Sequence, residues 1–312
     1  MRARLACLLL VLGLAAGATG CGLGQGPDAG STSLRVTRDF GAVRMLDTAT
    51  PKTAGQDTVL RLLQRNAKVT TKYGGGFVQS IDSRSGGRVG GRPRDWFFYI
   101  NGILAPQGAG SVKVKDGDRI WWDEHDWGEV QDIPAVVGSF PAPFTGGLEE
   151  KRLPIRVECT IPAASYCRAA RNRFADIGLT AAQGGLQGSQ LAETTRVLVG
   201  TYDQLGVDDT AALLQTGPEG SGVYALLASN GKSLQTLDAR GDPVRTLGAG
   251  TGVVAALKLP GSTQVAWVIT GTDQAGLDSA IRAVGERTLA GHFAVAVRGT
   301  QVIGLPEATP GA

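Results

Sequence analysis

The sequence predicts an α+β protein, with a β-grasp-like N-terminal domain followed by an α/β sheet domain. Three observations carry this reading. In the first third, short runs rich in β-branched and aromatic residues, broken by Gly and Asp turns, surround a single amphipathic stretch. Beyond residue 155, strand-like and helix-like runs alternate. Between them, residues 128–151 hold three prolines and four glycines with no apolar period, the composition of a linker. The 312 residues suffice for two domains of ~100–200 residues each.

Composition narrows the function classes. With 42% hydrophobic and 19% charged residues, the chain is not intrinsically disordered. Its 46 glycines follow no G-X-Y period, which excludes collagen. The formal charge of +3 falls to +1 if Arg2 and Arg4 leave with a leader, so there is no electrostatic footprint for nucleic acid. Two histidines in the whole chain argue against a histidine-rich metal or acid–base centre.

The first domain spans 34–127. Residues 34–37 and 43–46 read as short strands around Asp39-Phe40-Gly41. Asp57-Thr58 caps a helix running to about Asn66, with Val59, Leu62 and Leu63 on one face. Strands follow at 69–73 and 77–81, then the basic loop SRSGGRVGGRPR. Residues 96–100 form an aromatic strand that ends at the hairpin signal Asn101-Gly102. Strands at 112–114 and 119–123 close the unit around a Lys115-Asp116-Gly117-Asp118 turn.

The second domain spans 152–308. Strands are expected at 155–160, 197–200, 223–228, 234–238, 253–259, 265–271 and 293–298. Helices are expected at 164–176, 208–215 and 273–289, the last carrying Leu277, Ile281, Val284 and Leu289. Gly200-Thr201 and Gly271-Thr272 each end a strand just ahead of an Asp-Gln pair. Both are expected at the carboxyl edge, where α/β sheets bind ligands.

The N-terminus carries an address. In residues 1–20, Arg2 and Arg4 precede an apolar stretch at 5–16, too short for the ~20 residues of a spanning helix. Ala18, Thr19 and Gly20 then lead into Cys21. This order resembles a bacterial lipoprotein signal, although Ala18 stands where such signals usually have Leu. The resemblance implies cleavage before Cys21, lipid on Cys21 and a location on the extracytoplasmic face of the cell membrane, with membrane lipid as partner. An ordinary secretory signal is the alternative. Residues 22–33 read as a flexible tether. Once Cys7 leaves and Cys21 is acylated, Cys159 and Cys167 remain, and a disulfide is their simplest pairing in an oxidising compartment. Two buried thiols are the alternative, and without CxxC spacing a redox role carries little weight.

Several chemical motifs are incomplete. Gly231-Lys232-Ser233 lacks the first P-loop glycine, since position 226 is Leu226. Gly248-Ala249-Gly250-Thr251-Gly252 lacks the third dinucleotide-binding glycine, at Val253, and reads as a turn. There is no G-x-S-x-G and no H-E-x-x-H. His125 and His292 have no suggestive neighbours and are expected at the surface. Asp123-Glu124-His125-Asp126 offers cation ligands, but strand alternation throws neighbours to opposite faces and favours a solvated strand end. Arg84, Arg88, Arg92 and Arg94 could meet an anion, against the plainer reading of a mobile solvated loop.

The aromatic cluster is more informative. Alternation puts Trp96 and Phe98 on one face and Phe97 and Tyr99 on the other. One set fills the core beneath the helix. The other is either a ligand platform or a surface covered by the linker or second domain. As a platform it comprises Phe97, Tyr99 and Trp121, with Asn101 shaping its rim.

Residues 58–63 (TVLRLL), 76–82 (GFVQSID), 99–102 (YING) and 117–120 (GDRI) occur in the order that marks the domain family of the transcobalamin C-terminal region. Over residues 34–126 the chain resembles that family, which implies a small domain that closes over cobalamin. The helical barrel that holds the ligand's other half has no counterpart here, so a partner chain would supply the rest of a corrinoid site. The expectation is a membrane-anchored lipoprotein without catalysis and without a cofactor of its own. It would bind a ligand, with cobalamin or a related corrinoid as the candidate. A structural or protein-interaction lipoprotein without a small-molecule ligand is the alternative.

Overall fold

The computed structural model describes residues 32–53, 57–73, 76–147, 152–188 and 194–308. The leader, Cys21 and positions 22–31 of the expected tether lie outside the described residues.

The chain enters at β1 (Ser33–Arg38), which turns back into β2 (Val43–Thr48). Helix α1 (Val59–Asn66) begins where Thr58 accepts a hydrogen bond from the Arg61 amide, the expected cap. Strands β3 (Val69–Lys72), β4 (Phe77–Ile81) and β5 (Arg84–Ser85) make a small antiparallel sheet. Strands β6 (Gly87–Val89), β7 (Arg92–Ile100), β8 (Ile103–Leu104) and β9 (Arg119–Asp126) return to the first two. The main sheet runs β2-β1-β9-β7-β6, with β8 on β7; its central pair β1–β9 is parallel and the rest antiparallel.

The turn after β7 places Asn101 at φ 52° and Gly102 at φ 82°. Two consecutive left-handed residues are what an Asn-Gly hairpin turn supplies. One face of the sheet packs Leu34, Val36, Trp96, Phe98 and Trp122 against Val59, Leu62 and Leu63 of α1. Full burial of each of these side chains contributes ~1.5–3 kcal/mol. Strand β7 begins four residues earlier than expected. All four arginines of the expected loop are strand residues, Arg92 and Arg94 half-buried in β7 and Arg84 and Arg88 exposed in β5 and β6.

As far as residue 147, the connection out of β9 is packed and not a loose linker. Val130, Ile133 and Val136 are buried at the junction of the domains. Helix α2 (Ala142–Thr145) and the turn before it bury Val137, Phe140 and Phe144 in the core of the second domain. Phe144 meets Trp267 edge to face at 5.1 Å. These apolar residues follow no period because each is placed by a distant contact, and period is what sequence reading detects.

The second domain contains β10 (Ile155–Cys159), α3 (Ser165–Ala175), β11 (Ala181–Gly185) and β12 (Thr195–Thr201). Short helices α4 (Tyr202–Leu205), α5 (Asp209–Ala212) and α6 (Gly217–Ser221) follow. Strands β13 (Ala225–Leu227), β14 (Leu234–Leu237) and β15 (Pro243–Leu247) form a three-stranded antiparallel sheet. The chain ends with β16 (Thr251–Leu257), β17 (Ala266–Gly271), α7 (Gln274–Ala283), α8 (Glu286–Leu289), β18 (Ala294–Arg298) and β19 (Gln301–Leu305).

Its main sheet runs β11-β10-β12-β17-β16-β18-β19, parallel through β17 and antiparallel beyond. Helices α3 and α7 cover one face; the other faces α4, α5 and β13–β14. The expected helix at 273–289 is two helices, separated at Val284 and Gly285 where the backbone is extended. The expected Cys159–Cys167 disulfide is present.

Three glycines bring α7 onto the sheet. A Cβ on Gly252 would lie 2.2 Å from the Gly276 carbonyl, and one on Gly271 2.1 Å from the Leu277 amide. The glycine-rich run 248–252 is thus used for close helix–sheet packing, not for a nucleotide. The paired Gly-Thr motifs do lie side by side at the carboxyl edge, with Gly200 opposite Thr270 and Thr201 opposite Gly271.

Candidate functional site at the interdomain seam

Alternation along β7 and β9 divides the aromatic residues as expected. Trp96, Phe98 and Trp122 face α1; Tyr99 and Trp121 face the other way. That second face is covered. Tyr99 is 0% and Trp121 2% exposed, beneath Phe293 and Tyr224 of the second domain and Val130, Ile133 and Val136 of the connection. Phe293 meets Trp121 at 5.2 Å and Tyr99 at 5.5 Å, both edge to face. Phe97 is half-buried and stacks on His125 at 4.5 Å. The structure therefore does not present Phe97, Tyr99 and Trp121 as an open platform.

Asn101 is no rim residue either. It is fully buried; its side-chain amide donates to Asp118 and to the Gly147 carbonyl at 2.8 Å each, and its Oδ1 accepts from the Arg119 amide. It ties the β7–β8 turn to the start of β9 and the end of the connection. Burial raises the Asp118 carboxyl above its ordinary value, a shift that hydrogen bonds from Lys115 and Asn101 oppose.

The acidic run 123–126 is buried, not a solvated strand end. Both faces of β9 are covered, so alternation sends its polar side chains into contacts from distant segments. Asp123 accepts from Thr37 Oγ1 at 2.5 Å, from the Phe40 and Gly41 amides at 3.0 and 2.9 Å, and pairs with His125 Nδ1 at 2.9 Å. Trp121 Nε1 donates to the same Thr37 hydroxyl at 2.7 Å. Glu124 binds Arg38 at 2.7 Å and Arg94 at 2.8 Å, and Arg94 also pairs with Asp39. Arg92 pairs with Asp126.

His125, expected at the surface, is 1% exposed and lies between Phe40 and Phe97. Its pairing with Asp123 has the geometry of a base and its orienting carboxylate, but both are sealed from any substrate. The pair organises the turn Asp39-Phe40-Gly41, whose three residues have φ of 55°, 58° and 88°. Left-handed conformations at Asp39 and Phe40 cost ~1–3 kcal/mol each, and Asp123 holds them.

What remains open is the cleft beside this turn, about 380 Å³, between β1–β2 and the segments flanking β18 and β19. Arg35, Asp39, Phe40 and Arg44 line it from the first domain, and His292 and Leu305 from the second. Its volume lies at the small end of the range for ligand pockets, ~300–1,000 Å³. Burial, with Arg35 nearby, lowers the His292 pKa, so the imidazole is neutral. No sequence signal pointed to this cleft, because its two walls are separated by roughly 250 residues of chain.

Elsewhere, Lys232 of the rejected phosphate-loop motif pairs with Asp203 at 3.1 Å, and Gly231 packs on the Asp203 backbone. Among the described residues, no three His, Cys, Asp or Glu side chains form a metal-holding group, and no helix is long and apolar enough to cross a membrane.

The family model for a domain of unknown function, DUF4430, matches residues 56–125. The match begins just ahead of α1 and ends within β9, leaving out β1, β2 and the second domain. Phe97, Tyr99, Asn101 and Trp121 fall inside it; Arg35, Arg44 and His292 fall outside. No curated protein matches the chain.

Proposed function

We propose that this chain is a lipid-anchored extracytoplasmic protein that binds a ligand and performs no chemistry on it, its two domains acting as one unit with the ligand held between them. The observation that carries this is the seam. An aromatic core joins the domains, and the open volume beside it is walled by both. The order of leader motifs before Cys21 supports the anchor, and a disulfide supports an oxidising compartment. The sealing of Asp123 and His125 supports binding over hydrolysis.

The likeness of residues 34–126 to the transcobalamin C-terminal family supports a second reading, a corrinoid-binding module working with a partner chain. A parallel central pair β1–β9, flanked by antiparallel β2 and β7 beneath one helix, supports the β-grasp reading of that domain. A corrinoid seated on Phe97, Tyr99 and Trp121, with Asn101 at its rim, requires Phe293 to withdraw.

Two experiments test these readings. Cys21→Ala should move the protein from the membrane fraction to the medium, or leave it as unprocessed precursor; retention of mature protein in the membrane sinks the anchor. Cobalamin titrated into the wild type should give no heat or spectral change while the seam is closed. A saturable signal that Tyr99→Ala weakens would instead establish the corrinoid reading. The absence of any ligand would leave a protein-interaction lipoprotein.

A further inference from the structure

We infer that the cleft between the β1–β2 turn and the second domain is a binding site for a small organic carboxylate with an apolar body, its anionic end held by Arg35, Arg44 and His292. This rests on the binding reading above and names its ligand class.

Charge is the first argument. Arg35 Nη2 lies 3.0 Å from Asp47 Oδ2, and Arg44 Nε lies 3.9 Å from the same oxygen. Two guanidiniums therefore share one carboxylate. The neighbouring set of Arg38, Arg94, Glu124 and Asp39 is already balanced. The cleft keeps a surplus positive charge, to which an anion is the complement.

Preorganisation is the second. Arg35 is held with its guanidinium carbon 5.7 Å from the Trp121 ring centroid, so the planar fork that recognises carboxylates is fixed before a ligand arrives. Among the described residues it spends only the Asp47 bond. His292 stands on the opposite wall, half-buried, and its ring makes no hydrogen bond among the described residues. A neutral imidazole offers one N–H there. Gly304 leaves it room, since a Cβ at that position would lie 2.6 Å from His292 Nδ1.

The walls supply the third. Ala42, Ala290, Pro306 and Ala308 line the same volume, with Phe40 and Leu305 buried behind them. Convergent polar groups beside apolar walls are the pattern of small-molecule sites. The room suits a compact molecule, and the apolar wall selects against a bare inorganic anion.

The test uses the full-length chain in detergent. Benzoate, hexanoate and succinate are titrated beside benzyl alcohol and hexanol, following heat and the His292 Cε1–H resonance. Benzoate or hexanoate should move that resonance saturably and bind at least tenfold more tightly than its alcohol. Arg44→Ala should weaken binding at least tenfold without lowering the melting temperature, since its side chain is 74% exposed. Arg35→Lys, which keeps the charge but loses the fork, should also weaken it; if that variant melts early, Arg44→Ala decides. Equal binding of alcohol and acid overturns the carboxylate assignment while leaving a binding cleft. Failure of all three acids to move His292, or unchanged affinity in Arg44→Ala, overturns the site. Neither result bears on the anchor, which Cys21→Ala tests separately.

Discussion

The two faces of the first sheet carry similar rings and are built in different ways. The face beneath α1 holds Trp96, Phe98 and Trp122 against aliphatic side chains of its own domain. The seam face holds Tyr99, Trp121 and Phe97 against Phe293 and Tyr224, and also buries Thr37, Asp123 and His125. The first is a dry core closed by a neighbour in sequence. The second mixes rings with buried polar groups and is enclosed by Phe293, some 170 residues further along the chain. Equal ring content thus does not mean equal function: one face makes the domain fold, the other makes two domains into one body.

Truncation should separate the faces, with the largest effect on the dry side. Trp122→Ala leaves a large cavity in a core that cannot part, and should cost ~4–5 kcal/mol in denaturant unfolding with a single transition. Phe293→Ala should cost less, ~3 kcal/mol, because the domains can shift to fill the gap. It should also split unfolding into two transitions, the sign of a loosened seam. If Phe293→Ala keeps one transition and costs as much as Trp122→Ala, the distinction between the faces fails.

The disulfide sits away from both faces and calibrates the scale. Replacing Cys159 and Cys167 with Ser should cost ~2.5 kcal/mol in the chain-entropy picture of a loop of 8 residues. Equal melting of the reduced and oxidised protein would show that the staple does not constrain the unfolded chain.

Tyr99→Phe sharpens the comparison further. The Tyr99 and Tyr224 hydroxyls are buried with no hydrogen-bond partner among the described residues. Burial, with Asp123, Tyr224 and Asp132 nearby, raises the Tyr99 pKa well above its ordinary value. Removing an unpartnered hydroxyl should be neutral or stabilise by up to ~1 kcal/mol. A loss beyond ~1 kcal/mol would reveal a partner for the hydroxyl, such as a buried water.

The smallest effect concerns pH. His292 has a lowered pKa, so the unfolded chain binds its proton at higher pH than the folded one. Its contribution to stability is complete above the ordinary value of 6.5 and is lost as pH falls toward the folded value. His292→Asn should flatten the stability profile in that window; an unchanged profile would show that the imidazole is as well solvated folded as unfolded.

What could be read from sequence follows the same division. The cap at Thr58, the Asn101-Gly102 turn, the sorting of Trp96 and Phe98 from Phe97 and Tyr99, and the Cys159–Cys167 pair are all local in origin, and each was legible. The strands β11, β15 and β19 were not: AAQGG has few β-formers, PVRTL opens on proline, and QVIGL contains glycine. The burial of residues 123–126 was illegible for a different reason. Alternation assumed one wet face, and only Arg38, Arg94, Thr37 and the Phe40 turn, arriving from elsewhere, reveal that there is none. The Arg35–His292 cleft belongs to the same class.

Phe293 also has a temporal consequence. A chain delivered N-terminus first can pair β1 with β9 once residue 126 has emerged, which completes the first sheet. Phe293, which covers Tyr99 and Trp121, is still to come, after eight more described strands of the second domain. For that interval the half-finished molecule lacks the ring that seals Tyr99 and Trp121, and apolar surface exposed in this way is prone to aggregation until the last hairpin is in place.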